Sequence, residues 1–420
     1  MTLNIWHPFT QHGLNEPIPE IVRAEGAQLF KADGTAIIDA ISSWWVQTHG
    51  HCHPKIVTAI QEQSAKLDQM IFAGWTHEPA LQLAEGLVEF LPDQLEHIFF
   101  SDSGSTAVEV ALKMTLGYWH NQGVDRNRIL VMEHSYHGDT IGAMSVGARG
   151  VFNQAYAPLL FDVGTIGFPE AGQEQAVLDQ LTNYCQDPQH PPAALIIEPL
   201  VLGAGGMKMY SPETLRKISS ICQDNDVLFI ADEVMTGWGR TGTVFACEHA
   251  GVTPDILCMA KGLTGGVIPL AVTAATDPIY QAHHSQDRAK MFFHSSSFTA
   301  NPIACAAAGA NLAIWRDEPV QERIDQIASA HANWADTLRA KSNISNIRQC
   351  GTILAFEIDD GAGDYMSSLG PSLLAFFRER NILLRPLGNT LYIMPPYCIS
   401  EDELGAIYRT IEEAVDRFRS

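Results

Sequence analysis

Positive charge is scarce in this chain. Across 420 residues, 26 Lys and Arg face 48 Asp and Glu, a formal net charge of −22. Such a field repels phosphate backbones and anionic lipid, which argues against a nucleic-acid or membrane-surface partner. Long apolar runs are absent too, since no stretch reaches the roughly 18 residues that a membrane-spanning helix needs. Residues 1–11 are polar and aromatic instead of basic then apolar, so no secretory signal is expected and the cytoplasm is the expected compartment. The eight cysteines form no CxxC pair. Several, such as Cys258 and Cys305, lie within apolar runs and read as buried reduced thiols, not as a disulfide framework.

Some chemistries lack the spacing they require. Gly203-Ala204-Gly205-Gly206 has neither the GxGxxG order of a dinucleotide site nor the Gly-Lys-Ser/Thr of a P-loop. Gly237-Trp238-Gly239-Arg240-Thr241-Gly242 does match GxGxxG but opens no helical pattern. The run from Gly142 to Gly147 is wrongly spaced for a serine-hydrolase elbow. His49, His51, Cys52 and His53 lie close together, yet no second cluster completes the four converging ligands of a structural zinc, so no metal is expected.

What is present is a composition of 46% hydrophobic and 18% charged residues, that of a well-buried globular protein. The length exceeds what one core serves, so two domains are expected. A hairpin is predicted from 27–30 and 36–40 around the Asp33-Gly34 turn. From about Pro54 helical and strand patterns alternate, which predicts an α/β fold with a mostly parallel, doubly wound sheet. After Asn301-Pro302 a helical pattern runs through Ala306, Ala307 and Ala310 to Trp315. The remainder alternates strands (352–358, 390–394) with helices (371–378, 401–418), as a smaller α+β domain would. The expected division is an N-terminal segment, 1–50, packing with the small domain, a large domain at 51–310, and the small domain at 311–420.

Two strand-like runs end in chemically informative residues. Val227-Leu228-Phe229-Ile230-Ala231 stops at Asp232-Glu233, and Ile256-Leu257-Cys258-Met259-Ala260 stops at Lys261-Gly262. In open α/β sheets ligands gather at the carboxyl ends of strands, so both side chains are predicted to face one crevice. A lysine there can form a Schiff base, and an aspartate can keep a pyridine nitrogen protonated. On these two residues alone an ordinary salt bridge is an equal reading. Ser103-Gly104-Ser105 follows the apolar run at 97–100 and precedes a helical pattern (Ala107, Val110, Ala111, Met114), a place for a phosphate or for plain N-capping. After the strand pattern at 128–132, Tyr136 can stack on a flat ring or simply pack.

Asp232-Glu233-Val234, Lys261-Gly262, the Ser-Gly-Ser helix start and Ser135-Tyr136-His137-Gly138 resemble, over nearly the whole chain, the class III aminotransferases. The resemblance implies fold-type I architecture, pyridoxal 5'-phosphate, and a homodimer with shared active sites. It implies Lys261 as the cofactor-bearing lysine, Asp232 on the pyridine nitrogen, Tyr136 against the ring, Ser103, Gly104 and Ser105 at the phosphate, and Ser297 reaching the phosphate of a neighbouring subunit. Glu198 and Asp139 match supporting acids. Trp6-His7-Pro8-Phe9-Thr10, Ser42-Ser43-Trp44-Trp45 with His49-Gly50-His51, and Arg385-Pro386-Leu387-Gly388 leading to Tyr392 are similar to the branch of that family acting in biotin synthesis. That branch aminates 8-amino-7-oxononanoate, usually with S-adenosylmethionine as donor. The likeness implies aromatic walls at Trp44, Trp45 and Tyr136, an anchor for the substrate carboxylate at Arg385, and a contact from Tyr392. Two positions depart from the branch: Phe9 stands where a Tyr is usual, and His294-Ser295-Ser296-Ser297-Phe298 where His-Gly-Pro-Thr-Phe is usual. The alternative is an ω-aminotransferase acting on another amine or ω-amino acid.

Overall fold

Runs such as Ile129-Leu130-Val131-Met132 and Leu195-Ile196-Ile197 are apolar at every position, so neither face can be left to water. In the computed structural model, which describes residues 4–150, 153–339, 341, 343–358 and 369–418, these residues are all buried inside a seven-stranded sheet. From edge to edge its strands are Leu95–Ser101, Ala271–Thr276, Ile256–Met259, Leu228–Asp232, Pro192–Ile197, Arg128–Met132 and Gly164–Ile166. All pairings are parallel except those of Ala271–Thr276, which runs against both of its neighbours. Alternate strand residues feed two cores. Ile129, Val131, Ile196 and Ile230 pack with Ala107, Val110, Ala111 and Met114 of the helix Gly104–Asn121, while Leu130, Met132, Leu195, Ile197 and Phe229 face the opposite side. Each such Val, Leu or Ile contributes about 1.5–3 kcal/mol by leaving water.

Smaller sheets complete the frame. Gln28–Phe30 and Ala36–Asp39 form the antiparallel hairpin, with Gly34 at φ +86° in its turn. Arg23–Glu25 extends it on one side, and Ile382–Leu383 joins in parallel on the other, so the N-terminal segment and residues far along the chain share one sheet. The strands Ile344–Cys350, Ile353–Ile358 and Thr390–Ile393 make a three-stranded antiparallel sheet. Against it pack Trp334 of Val320–Leu338 and Leu404, Ile407 and Ile411 of Glu401–Arg417. The latter helix starts at a capping box in which Ser400 and Glu403 satisfy each other's backbone N–H groups. The long helix Pro302–Asp317 buries Ala304, Ala307 and Ala308, small residues that let it lie close to Pro54–Lys66 and Glu78–Val88. No described helix is long and apolar enough to cross a membrane.

Candidate active site

Register brings the two informative strand ends together. Asp232 closes its strand opposite Cys258, and Lys261 follows shortly after the neighbouring strand ends at Met259. Both line a cavity of about 350 Å3 at the carboxyl edge of the sheet, together with Trp45, Tyr136, His137 and Glu198. Lys261 opens a short 3-10 turn with its backbone at φ +44°, a left-handed conformation that a lysine adopts only under tertiary constraint. Its Nζ lies 4.8 Å from the ring centroid of Trp45. Burial lowers the amine to about 8, Asp232 and Glu198 partly offset that, and the Arg240 guanidinium adds to it. A lysine so placed is neutral, and therefore nucleophilic, far more often near neutral pH than an ordinary one.

The helix start opposite Lys261 is built for an anion. Ser103 and Thr106 cap one another, which occupies the Ser103 hydroxyl and the Thr106 N–H. The N–H groups of Gly104 and Ser105, both lining the cavity, are left without intrahelical acceptors. The Ser105 hydroxyl accepts the Asp139 N–H at 3.2 Å and keeps its own proton to donate. Gly104 is required by space, because a Cβ there would sit 2.6 Å from Cγ1 of Val234, which lines the same cavity. The Gly104 and Ser105 N–H groups are thus open to an anion, whereas Ser103 is chiefly the cap.

Tyr136 is held by its backbone: its N–H donates to Glu198 Oε2 at 3.1 Å, and Glu198 Oε1 accepts the Gly203 N–H at 2.9 Å. Burial pushes the Glu198 carboxyl up to about 7, with His137 pulling the other way. The Tyr136 hydroxyl is shifted upward by burial first and by the adjacent Asp139 second, so it remains a phenol. His137, which sequence reasoning left without a role, is fully buried and its Nδ1 lies 2.6 Å from Asp232 Oδ2. The other carboxylate oxygen of Asp232 accepts the Val234 N–H at 3.1 Å. His137 thus orients the carboxylate, while its own Nε2 is buried and unpartnered. A carboxylate, a reactive amine, an anion cradle that a Cβ would obstruct and an aromatic wall in one cavity are the donor set that a phosphorylated pyridine aldehyde needs. The residues fit pyridoxal phosphate.

Of the remaining expected residues, Trp45 lines the cavity and Trp44, Tyr392, Arg385 and Ser297 lie outside its lining. Trp45 is buried at φ +64° and donates from Nε1 to the Tyr392 hydroxyl at 2.9 Å. Tyr392 therefore supports the Trp45 wall from outside the cavity lining. Trp44 packs on Phe9, with ring centroids 5.6 Å apart, and the Arg385 guanidinium lies 5.5 Å from the Trp44 ring. Arg385 is half-buried and donates weakly to the Phe9 carbonyl at 3.5 Å, and among the described residues no carboxylate lies within ion-pair distance of it. Ser297 is exposed, its carbonyl accepting from Gln69, and it does not line this cavity. The Gly237 to Gly242 run proves to be turns that carry Arg240, a fully buried guanidinium donating to the carbonyls of Gln47 (2.8 Å), Trp45 (3.4 Å) and Pro395 (3.1 Å). Sequence reasoning missed it; the signal was an arginine amid glycines and apolar residues. The histidine-rich segment turns its rings to three different partners, Asn311 for His49, Asp39 for His51 and Glu318 for His53.

Fold and site together define a pyridoxal-phosphate-dependent transferase of fold type I. The aminotransferase class-III family profile matches residues 10–415, and the chain belongs to that family. It is 45% identical over 420 residues to the adenosylmethionine-8-amino-7-oxononanoate aminotransferase of Synechococcus elongatus, covering 98% of each chain. Among solved structures it is similar to the adenosylmethionine-8-amino-7-oxononanoate aminotransferase of Methanocaldococcus jannaschii, with TM-score 0.94, 32% identity, and coverage of 99% of this chain and 97% of that one. An amine transaminase from an uncultivated Pseudomonas species, solved with pyridoxal phosphate bound, superposes with TM-score 0.92 at 29% identity over 99% of each chain.

Proposed function

We propose that this chain converts 8-amino-7-oxononanoate to 7,8-diaminononanoate in biotin biosynthesis, with S-adenosylmethionine as the amino donor. The observation that carries the substrate assignment is Arg385, a half-buried guanidinium 5.5 Å from the Trp44 ring centroid with no described carboxylate to neutralise it. A substrate ending in a carboxylate supplies the missing partner, and its aliphatic chain is suited to an aromatic wall. Relatives named for this reaction, matching end to end, support the same reading.

When bound, pyridoxal phosphate supplies an aldehyde that takes up an amine and a protonated ring that draws electrons from the adjacent carbon. Gly104 and Ser105 would hold its phosphate, and Asp232, oriented by His137, would keep its ring nitrogen protonated. Lys261 would be the residue that secures the cofactor, and a basicity near 8 at its Nζ suits both giving and taking a proton. Tyr136, tethered through Glu198, and Trp45 close the cavity walls and limit water. We infer a homodimer in which the exposed loop bearing Ser297 and Phe298 completes the site of a second copy. The division into 1–50, 51–310 and 311–420 belongs to the same proposal, supported by the sheet that joins Ala36–Asp39 to Ile382–Leu383.

A second reading, an ω-aminotransferase for another amine, is favoured by Phe9, which presents no hydroxyl beside Trp44. Presenting 8-amino-7-oxononanoate with S-adenosylmethionine, lysine or a simple amine as donor separates the two. Diamine formed fastest with S-adenosylmethionine supports the proposal, and turnover only of unrelated amine and ketone pairs supports the second reading.

A further inference from the structure

Asp39 ends its strand in the N-terminal sheet with a fully buried carboxylate, and among the described residues its sole ion-pair partner is His51. Oδ1 accepts the N–H of Ser43 at 2.8 Å and of Ile41 at 3.3 Å, while Oδ2 takes the Ser43 hydroxyl at 3.0 Å and meets His51 Nε2 at 2.9 Å. His51 is itself fixed, exchanging backbone hydrogen bonds with Gly26. What these contacts hold is an unfavourable piece of chain: Ser42, Ser43 and Trp45 have φ of +53°, +60° and +64°. Non-glycine residues persist there only when their surroundings over-determine them. The segment's product is the placement of two rings, Trp45 at 4.8 Å from Lys261 Nζ and Trp44 at 5.5 Å from the Arg385 guanidinium. Ser42 is anchored to the Met394 carbonyl and Arg240 holds the Trp45 carbonyl, but the Ser43 N–H and hydroxyl both go to Asp39.

We propose that Asp39, acting through Ser43 and braced by His51, is a positioning residue that sets Trp44 and thereby substrate specificity, Trp45 being held separately by Arg240 and Tyr392. The Ile41 N–H, the Ser43 N–H and the Ser43 hydroxyl donate to it and the His51 ring nitrogen meets it, a set of donors that a carboxylate satisfies in full. An amide would offer one oxygen and turn an N–H group toward two of those donors.

The inference rests on the proposed substrate only for the choice of assay. Holoenzyme carrying Asp39→Asn, Trp44→Ala or both is compared for KM and kcat with 8-amino-7-oxononanoate. The expected result is a KM about tenfold higher for Asp39→Asn, no more than a threefold further rise when Trp44 is already alanine, and kcat within about threefold throughout. An equal KM rise in both backgrounds, or a fall in kcat at unchanged KM, overturns the proposal. Where Asp39→Asn gives no folded holoenzyme, Ser43→Ala removes one contact alone and must raise KM at least twofold, again only with Trp44 present; an unchanged KM overturns the proposal. If the parent protein turns over an unrelated amine and not the keto acid, the substrate reading fails, and the same cycle read on that amine's KM decides the clamp separately.

Discussion

Replacing Arg385 by alanine isolates the interaction on which the substrate assignment rests. The side chain has one long hydrogen bond, to the Phe9 carbonyl at 3.5 Å, and a ring contact with Trp44. With no acid paired to it among the described residues, its removal leaves no uncompensated buried charge, and the loss of stability is expected to stay within about 1 kcal/mol, the scale of a partly exposed cation–π contact. The substrate loses far more, because a charge-assisted hydrogen bond is worth about 1.5–3 kcal/mol. That range corresponds to roughly a 10- to 150-fold weaker kcat/KM. The assay compares 8-amino-7-oxononanoate with its methyl ester, which keeps the chain and removes the charge. The parent protein should prefer the acid by about that factor and Arg385→Ala should show almost no preference, while Arg385→Lys, a point charge without the planar fork, falls between. If Arg385→Ala weakens acid and ester equally, or melts early with the preference intact, the guanidinium serves the fold and the reasoning is refuted.

Further outcomes follow from the same geometry. Asp232→Asn keeps the shape facing His137 but removes the charge at the ring nitrogen, and should slow the proton-transfer step by about 3 kcal/mol, on the order of a hundredfold, in cofactor-saturated protein; near-normal single-turnover rates would assign the nitrogen to another acid. Lys261 is cationic below its lowered value of about 8 and neutral above it, so cofactor capture by apoprotein should accelerate about tenfold per pH unit below 8 and level off above. Absorbance stopped-flow would show this plateau, and a rate still climbing past pH 10 would contradict it. Gly104→Ala puts a methyl group 2.6 Å from Val234 Cγ1 and should weaken cofactor binding by about 1–3 kcal/mol, read as a higher Kd in equilibrium titration, with an unchanged Kd showing that the phosphate lies elsewhere.

Much of this site was legible because two-sided apolar strands announce themselves and their carboxyl ends are where ligands collect. Asp232 and Lys261 could be read as neighbours before their register was known. The reversal of Ala271–Thr276 could not, since a strand buried on both faces has the same composition in either direction. Ser103 shows a genuine ambiguity of sequence: capping and phosphate binding use the same residue types, and only the Ser103–Thr106 bonds divide the labour. His137, Arg240 and Asp39 were missed for another reason. Each acts on chain distant in sequence or on a neighbouring backbone through one buried polar side chain, a contact that no local spacing announces. The bond from Trp45 Nε1 to the Tyr392 hydroxyl was not legible either, since it depends on the left-handed backbone at Trp45.

The central claim is most directly tested by following the nitrogen. Purified holoenzyme is given 8-amino-7-oxononanoate and S-adenosylmethionine labelled with 15N at its amino group, and the products are identified by mass. The account predicts 7,8-diaminononanoate carrying one 15N, formed by the parent protein and abolished in Lys261→Ala. Absence of the diamine, while label moves from an unrelated amine to an unrelated ketone, would contradict it.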